Sequence, residues 1–251
     1  MYRAVFFDIS GVLYQGEQVI SGAVEAVAAV RAAGLPLRFL TNTSRKTAAL
    51  ISADLQQFGF EVQADEVITA PSAARDYIVA QGLRPYCLVH RDIQSEFATL
   101  DQQDPNAVVI GDAAEDLNYA NLNRAFQLCQ AGAVLVGIGA NRYFRQGDEL
   151  LLDAGPFIKA IEYAASVQAI TMGKPAPAFF AQALVDVGCE AAQVLMVGDD
   201  VLGDVEGAIN AGLDACLVRS GKYQAGDEEL VKAEFACIAS VAALPEMLAL
   251  R

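Results

Sequence analysis

One histidine, His90, and no tryptophan occur in the 251 residues. The five cysteines, Cys87, Cys129, Cys189, Cys216 and Cys237, are odd in number, widely spread, and include no CxxC pair. Structural zinc needs clustered Cys and His, and a disulfide framework needs paired cysteines. Neither is expected here; such thiols read as buried apolar residues in a reducing cytoplasm. Positive charge is also scarce: 17 Lys and Arg stand against 31 Asp and Glu, a formal net charge of −14. That balance argues against nucleic acid and anionic membranes as partners. It leaves room for a small anionic substrate, because a local site can be cationic while the whole chain is acidic. No apolar run approaches the ~18 residues of a membrane helix. The first such run, Ala4 to Phe7, is cut by Asp8 too early for a signal peptide.

What remains is a globular composition, 54% apolar, with length for one large or two smaller α/β domains. Short apolar runs alternate with segments of helical period. "AVFF", "LPLRFLTN" and "EVIT" read as strands; "SGAVEAVAAVRAAG", "SRKTAALISADLQQFG" and "SAARDYIVAQG" read as helices between and after them. The middle of the chain repeats the alternation: strands "PYCLVH", "NAVVIGD" and "AVLVGIG", the helix "LNYANLNRAFQLCQAG", and a loop "DAGPF" leading into "FIKAIEYAAS". Then come the strand "AITMGKP", the helix "PAFFAQALVDVG", the strand "QVLMVGDD", the helix "VEGAINAG" and the strand "DACLVRSGKY". The pattern predicts a doubly wound α/β protein with parallel sheets.

In such sheets, ligand groups gather at the carboxyl ends of strands. The polar residues immediately after the strand-like runs are Asp8 and Ser10, Thr41 and Asn42, Lys174, and Asp199 with Asp200; His90 and Asp112 follow strands in the middle segment. Asp8 can act as a nucleophile toward phosphorus or bind a hard cation. Asp199 and Asp200 add the oxygen ligands that Mg²⁺ prefers, and Asp204 suits a supporting partner. Thr41 and Asn42 precede a predicted helix whose first N–H groups would favour an anion, with Arg45 and Lys46 adding positive potential in its first turn. Lys174 can pair with the nucleophile and with phosphoryl oxygens. Taken singly, each fragment is more often a turn, a cap or a solvated loop than a catalytic group; their joint occurrence, in order and each after a strand, is what points to phosphoryl transfer.

The segments "DISGVL", "TNTS", "GKP" and "GDDVLGD" resemble the four motifs of the haloacid dehalogenase (HAD) superfamily of phosphohydrolases. The long insertion between the second and third resembles the α/β cap of its NagD-like branch. The further segments "RPY", "SEF", "DPNAVVIGD", "NRYF", "DAGPFIKAIEYA" and "GKPAPAFF" are similar to members of that branch that act on pyrophosphate, phospholysine and phosphohistidine. The resemblance implies a core of residues 1–75 and 170–251 with a cap of 76–169. It implies Asp8 as nucleophile and Mg²⁺ ligand, Ser10 as the residue whose carbonyl reaches the metal, and Asp199 as the remaining carboxylate ligand. Asp200 and Asp204 would be in support. Phosphate would be held by Asp8, Ile9, Ser10, Thr41, Asn42 and Lys174. It further suggests a homodimer, and a cap loop in which Asn141, Arg142 and Tyr143 are candidate substrate contacts.

One residue departs from the pattern. Most of the superfamily carries a second Asp where this chain has Ser10, as the acid that protonates the leaving group and the base that activates water. A serine hydroxyl is a poor acid near neutral pH, and losing a positioned acid/base costs about 10²–10⁴-fold. An alkoxide leaving group suffers most; pyrophosphate and phosphorus–nitrogen bonds suffer least. The expected activity is therefore hydrolysis of phosphoanhydride or phosphoramidate bonds, in a small molecule or a phosphoprotein side chain. A monoester phosphatase and a low-turnover phospho-ligand binder are the alternatives.

Overall fold

The computed structural model describes residues 2–146, 149–185 and 187–250. They form two compact units, Met1–Thr41 with Ala48–Ile68 and Lys174–Arg251, and Asn42–Thr47 with Thr69–Gly173.

The first unit is built on a six-stranded sheet. Its strands are β1 (Ala4–Asp8), β4 (Leu37–Thr41), β5 (Val67–Thr69), β12 (Val194–Gly198), β13 (Asp214–Val218) and β14 (Ala236–Ile238), in the order β14-β13-β12-β1-β4-β5. Strand β1 lies between β12 and β4, pairing with both in parallel, and all five of its residues are buried. This is why "AVFF" is a continuous apolar run rather than an alternating one. Val5, Phe7 and Phe39 pack on one face with Val27 and Val30 of helix α1 (Ala23–Ala32) and Leu55 of α2 (Ala48–Gln57). Phe7 and Phe39 are register partners with ring centroids 5.9 Å apart. A two-stranded hairpin, β2 (Tyr14–Gln15) and β3 (Gln18–Val19), follows the site strand.

A second parallel sheet organises the other unit, in the order β11-β8-β7-β6. Its strands are β6 (Pro85–Leu88), β7 (Ala107–Ile110), β8 (Val134–Ile138) and β11 (Ile170–Met172). Helices α3 (Ala70–Ala80), α4 (Tyr119–Gln130) and α5 (Ala154–Ala165) belong with it, as does an antiparallel hairpin of β9 (Tyr143–Gln146) and β10 (Glu149–Leu152). Among the described residues no helix is long and apolar enough to cross a membrane.

Several sequence expectations need correction. Helix α2 begins at Ala48, so Arg45 and Lys46 lie in the preceding loop and not in a first helical turn. "DAGP" is no loop: Asp153 caps α5, its Oδ1 accepting the Ala154 N–H at 2.7 Å. Pro156 fits because the first helical residues have no intrahelical acceptor for their N–H groups. The hairpins and β14 escaped the periodicity, being too short to show one.

One ion pair joins the end of α1 to the turn leading into β5. Arg31 donates from both terminal nitrogens to Glu66, at 2.8 and 2.7 Å, and to the Glu61 carbonyl. Burial pushes the Glu66 carboxyl up, but the Arg31 fork and the Gln63 N–H outweigh it, leaving it below its ordinary value. Its contribution is therefore present at neutral pH and lost as pH falls through the carboxylate range. Glu66→Gln should destabilise the fold by about 1 kcal/mol at pH 7, measured by urea unfolding, and the difference should shrink toward zero below about pH 4.

Candidate active site

Adjacent strand ends bring the first two acids together. Phe7 pairs with Val197, so Asp8 and then Asp199 emerge from neighbouring strands β1 and β12. Both are buried, as is Asp204. Lys174 contacts Asp8 Oδ1, lies 2.6 Å from Asp204 Oδ1, and is 3.5 Å from the Leu40 carbonyl. Only 6% of its side chain is exposed.

Three carboxylates thus share a buried space with one ammonium. Burial alone would lower the Lys174 pKa, but Asp204 and Asp8 outweigh it and hold the group charged, well above its ordinary value. Burial pushes Asp8 up against the opposing pull of Lys174. It carries Asp204 up to about 6, again against Lys174. Asp199 is raised by burial too, with the Lys222 N–H partly opposing. The excess of negative charge is what a divalent cation would relieve. Oxygens of Asp8, Asp199 and Asp204 lie within 4.8 Å of one another, and Asp199 Oδ1 is buried without a hydrogen-bond partner. An all-oxygen set of this kind suits Mg²⁺ rather than a softer metal.

The rest of the first unit orients these acids. Asp199 Oδ2 accepts the Lys222 N–H at 2.7 Å. Gly11 (φ +85°) and Gly221 (φ +63°) press against the same oxygen; a Cβ at either would lie 2.1 or 2.0 Å from it. Ser220 closes the contact by donating its hydroxyl to the Gly11 carbonyl at 2.6 Å. Asp200 points elsewhere. Its Oδ1 caps the turn by accepting the Leu202 and Gly203 N–H groups, and its Oδ2 pairs with Lys222 Nζ at 3.2 Å. Those hydrogen bonds and Lys222 hold its pKa below the ordinary value although burial pushes the other way. The Asp204 carboxylate accepts the Asp200 N–H, within a wide helical turn in which the Val205 N–H reaches the Asp200 carbonyl five residues back.

Asp8, Lys174, Asp199 and Asp204 are therefore brought together. Ile9 is buried and its N–H donates to Asp8, while Ser10 is exposed. Thr41 ends β4, one residue past Leu40, the register partner of Asp8. Asn42 goes with the second unit. Lys174 follows β11 of the second sheet, so it is not at a strand end of the sheet that carries the acids. Sequence reasoning missed Ser220, Gly221 and Lys222. The signal was there: β13 ends at Val218, and the three residues stand just beyond it, where the strand was read as running on through "RSGKY".

Within the second unit, His90 Nδ1 accepts the Asp92 N–H at 3.3 Å and caps a turn. Asp112 is paired with Arg45. Arg142 and Tyr143 line a cavity of 530 Å³ with Leu152, Ile158 and Lys159, whereas the Asn141 carbonyl accepts the Gly155 N–H.

The profile of the haloacid dehalogenase-like hydrolase family matches residues 5–103, and a second profile of HAD-hydrolase-like proteins matches residues 171–244. The phospholysine phosphohistidine inorganic pyrophosphate phosphatase of Xenopus laevis is 45% identical over 234 residues, covering 90% of this chain and 87% of the relative. Mouse haloacid dehalogenase-like hydrolase domain-containing protein 2 is 41% identical over 229 residues, 91% and 88% of the two chains. Among solved structures, NagD from E. coli K-12 superposes with a TM-score of 0.83 at 24% identity, covering 96% of this chain and 97% of NagD.

Proposed function

We propose a function on the premise, given by those matches, that the chain belongs to the haloacid dehalogenase-like hydrolase family. It is a phosphatase of that family. The reading is that it hydrolyses pyrophosphate or a phosphoramidate of lysine or histidine, the substrates in the name of its 45%-identical relatives. The observation that carries it is a buried Asp8 held by Lys174, with an exposed serine two residues on where an acid would serve an alkoxide.

In the first step an Asp8 carboxylate oxygen attacks phosphorus. The bond to the leaving group breaks, and that group departs with the electron pair as a phosphate anion or an already protonated nitrogen. Lys174 keeps its charge against both Asp8 and the transferring oxygens, stabilisation that phosphoryl transfer chiefly needs. Water then attacks the aspartyl-phosphate, releasing phosphate and restoring the carboxylate. Asp8, Asp199 and the Ser10 carbonyl would hold Mg²⁺, with Asp204 and Asp200 in support. The ion, when bound, would neutralise phosphate charge. Phosphate ligation by Ile9, Ser10, Thr41 and Asn42 completes the reading. The first unit serves as the catalytic core and the second as a cap that screens substrates.

The test is phosphate release with Mg²⁺ from pyrophosphate, phospholysine, phosphohistidine and sugar phosphates. Turnover of the first three above the sugars is expected; none with any of them sinks the reading.

The proposed setting is the cytoplasm, in keeping with five free cysteines, and the proposed state a homodimer. In β10 three consecutive leucines are exposed, Leu150 by 58% and Leu152 by 61%. Since neighbours in a strand point to opposite faces, β10 presents leucine on both of its faces, and a second copy offers the same strand for isologous pairing. Sedimentation should give a dimer, and Leu150→Glu with Leu152→Glu a monomer. A parent that sediments as a single chain refutes the dimer.

A further inference from the structure

Arg45 was expected to lend positive potential to a bound phosphate. Its contacts say otherwise. Its Nε donates to Asp112 Oδ2 at 2.5 Å, and its guanidinium carbon lies 4.8 Å from the centre of the Phe144 ring. A guanidinium recognises carboxylates with its edge and aromatic rings with its face; here both edge and face are engaged. The partner acid is itself fixed. Asp112 is 5% exposed, follows β7, and accepts the Ala114 N–H on its other oxygen at 3.3 Å.

The segment that Arg45 sits on leaves β4 at Thr41 and enters α2 at Ala48, yet residues 42–47 pack with the second unit. Asn42, Thr43 and Ser44 form one wall of a 320 Å³ cavity whose other lining includes Asp112 and Asp153. Arg45, in the loop next to Thr41, is therefore held by side chains of the second unit.

We propose that Arg45 is a positioning residue: gripped by Asp112 and stacked on Phe144, it fixes the loop that carries Asn42 and does not itself contact the transferred phosphoryl group. This rests on the reading of Asn42 as a phosphate ligand. A one-ångström misplacement of such a ligand is costly, so Asp112→Asn should raise KM for pyrophosphate by about 10- to 100-fold, with kcat changed less than about threefold. Arg45→Lys should behave the same way, because the ammonium keeps the charge but loses the planar fork and the stacking. The double variant should be no worse than either single one, since the two residues act as a unit.

Two measurements decide the matter in the full-length protein: steady-state phosphate release with Mg²⁺, and amide hydrogen exchange of residues 42–47. Faster exchange in that loop together with a raised KM in Asp112→Asn supports the clamp. Unchanged exchange overturns it, whatever the kinetics. Faster exchange with parent-like KM overturns the positioning role. A near-parent Arg45→Lys beside a crippled Arg45→Gln, with Asp112→Asn silent, would mean direct phosphate contact and also overturns it. A parent that hydrolyses nothing defeats the proposed function instead, and the clamp is then judged by exchange alone.

Discussion

Asp8→Asn is expected to abolish phosphate release. On the proposed mechanism Asp8 is the nucleophile that forms the covalent intermediate; removing such a group costs up to on the order of 10⁶ in kcat, so the residual rate should fall below detection. The fold should not suffer. Asp8 shares its buried space with Asp199 and Asp204 against one ammonium, and burial disfavours its charged form. An amide of the same shape removes one of the competing charges, and Lys174 keeps Asp204 as its partner. Active sites store instability of this kind. Compared in a chelator, to remove any stabilisation by metal, the melting temperature of Asp8→Asn should be no lower than the parent's. Loss of activity with a collapsed melting temperature would make Asp8 a structural acid. Activity that survives in a folded variant would place the nucleophile elsewhere. In the parent, trapping of phosphate on Asp8 without release would favour a low-turnover phospho-ligand protein.

Ser10→Asp is expected to raise hydrolysis of an alkyl phosphate such as glycerol phosphate by about 10²–10⁴-fold, the usual worth of a positioned acid/base. Ser10 is exposed and its backbone adopts no left-handed conformation, so a carboxyl can be added there without burial or strain. The gain should depend on the leaving group. Pyrophosphate should change less than about tenfold, and p-nitrophenyl phosphate, whose phenolate is a weak base, should fall between. A uniform rise across all three would mean that the added carboxyl acts on binding or on the second step alone. No rise for the alkyl ester in a folded, Mg²⁺-loaded variant would undo the leaving-group account of Ser10.

The strand–helix alternation and the acids at β1 and β12 were legible in the sequence because buried parallel strands are apolar throughout and end on their first polar residue. Lys174 was found by the same rule for a partly wrong reason, since its strand belongs to the other sheet. Arg45 was placed in a helix that starts three residues later, because a polar run carries no period that distinguishes loop from first turn. Its partner Asp112 lies 67 residues away, a distance over which local pattern says nothing. Ser220, Gly221 and Lys222 were overlooked because "DACLVRSGKY" was read as one strand, and the close approach of Gly11 and Gly221 to Asp199 is a matter of φ and space that composition does not encode.

The central pairing of the first unit has a consequence for synthesis. Strand β1 is made well before its neighbour β12, from which the whole second unit separates it, and Asp8 meets Lys174 across 166 positions. Closing a loop of that length is slow before any contact rewards it. The second unit is contiguous apart from residues 42–47, so it can form while β1, with β4 on one side, waits for β12 on the other. The acid pocket comes into being only when the last third of the chain has been made. A nascent or truncated chain lacking β12 and β13 would therefore lack Asp199 and Asp204, and its apolar β1, paired with β4 alone, would leave open the edge that β12 covers, the edge a chaperone would have to shield.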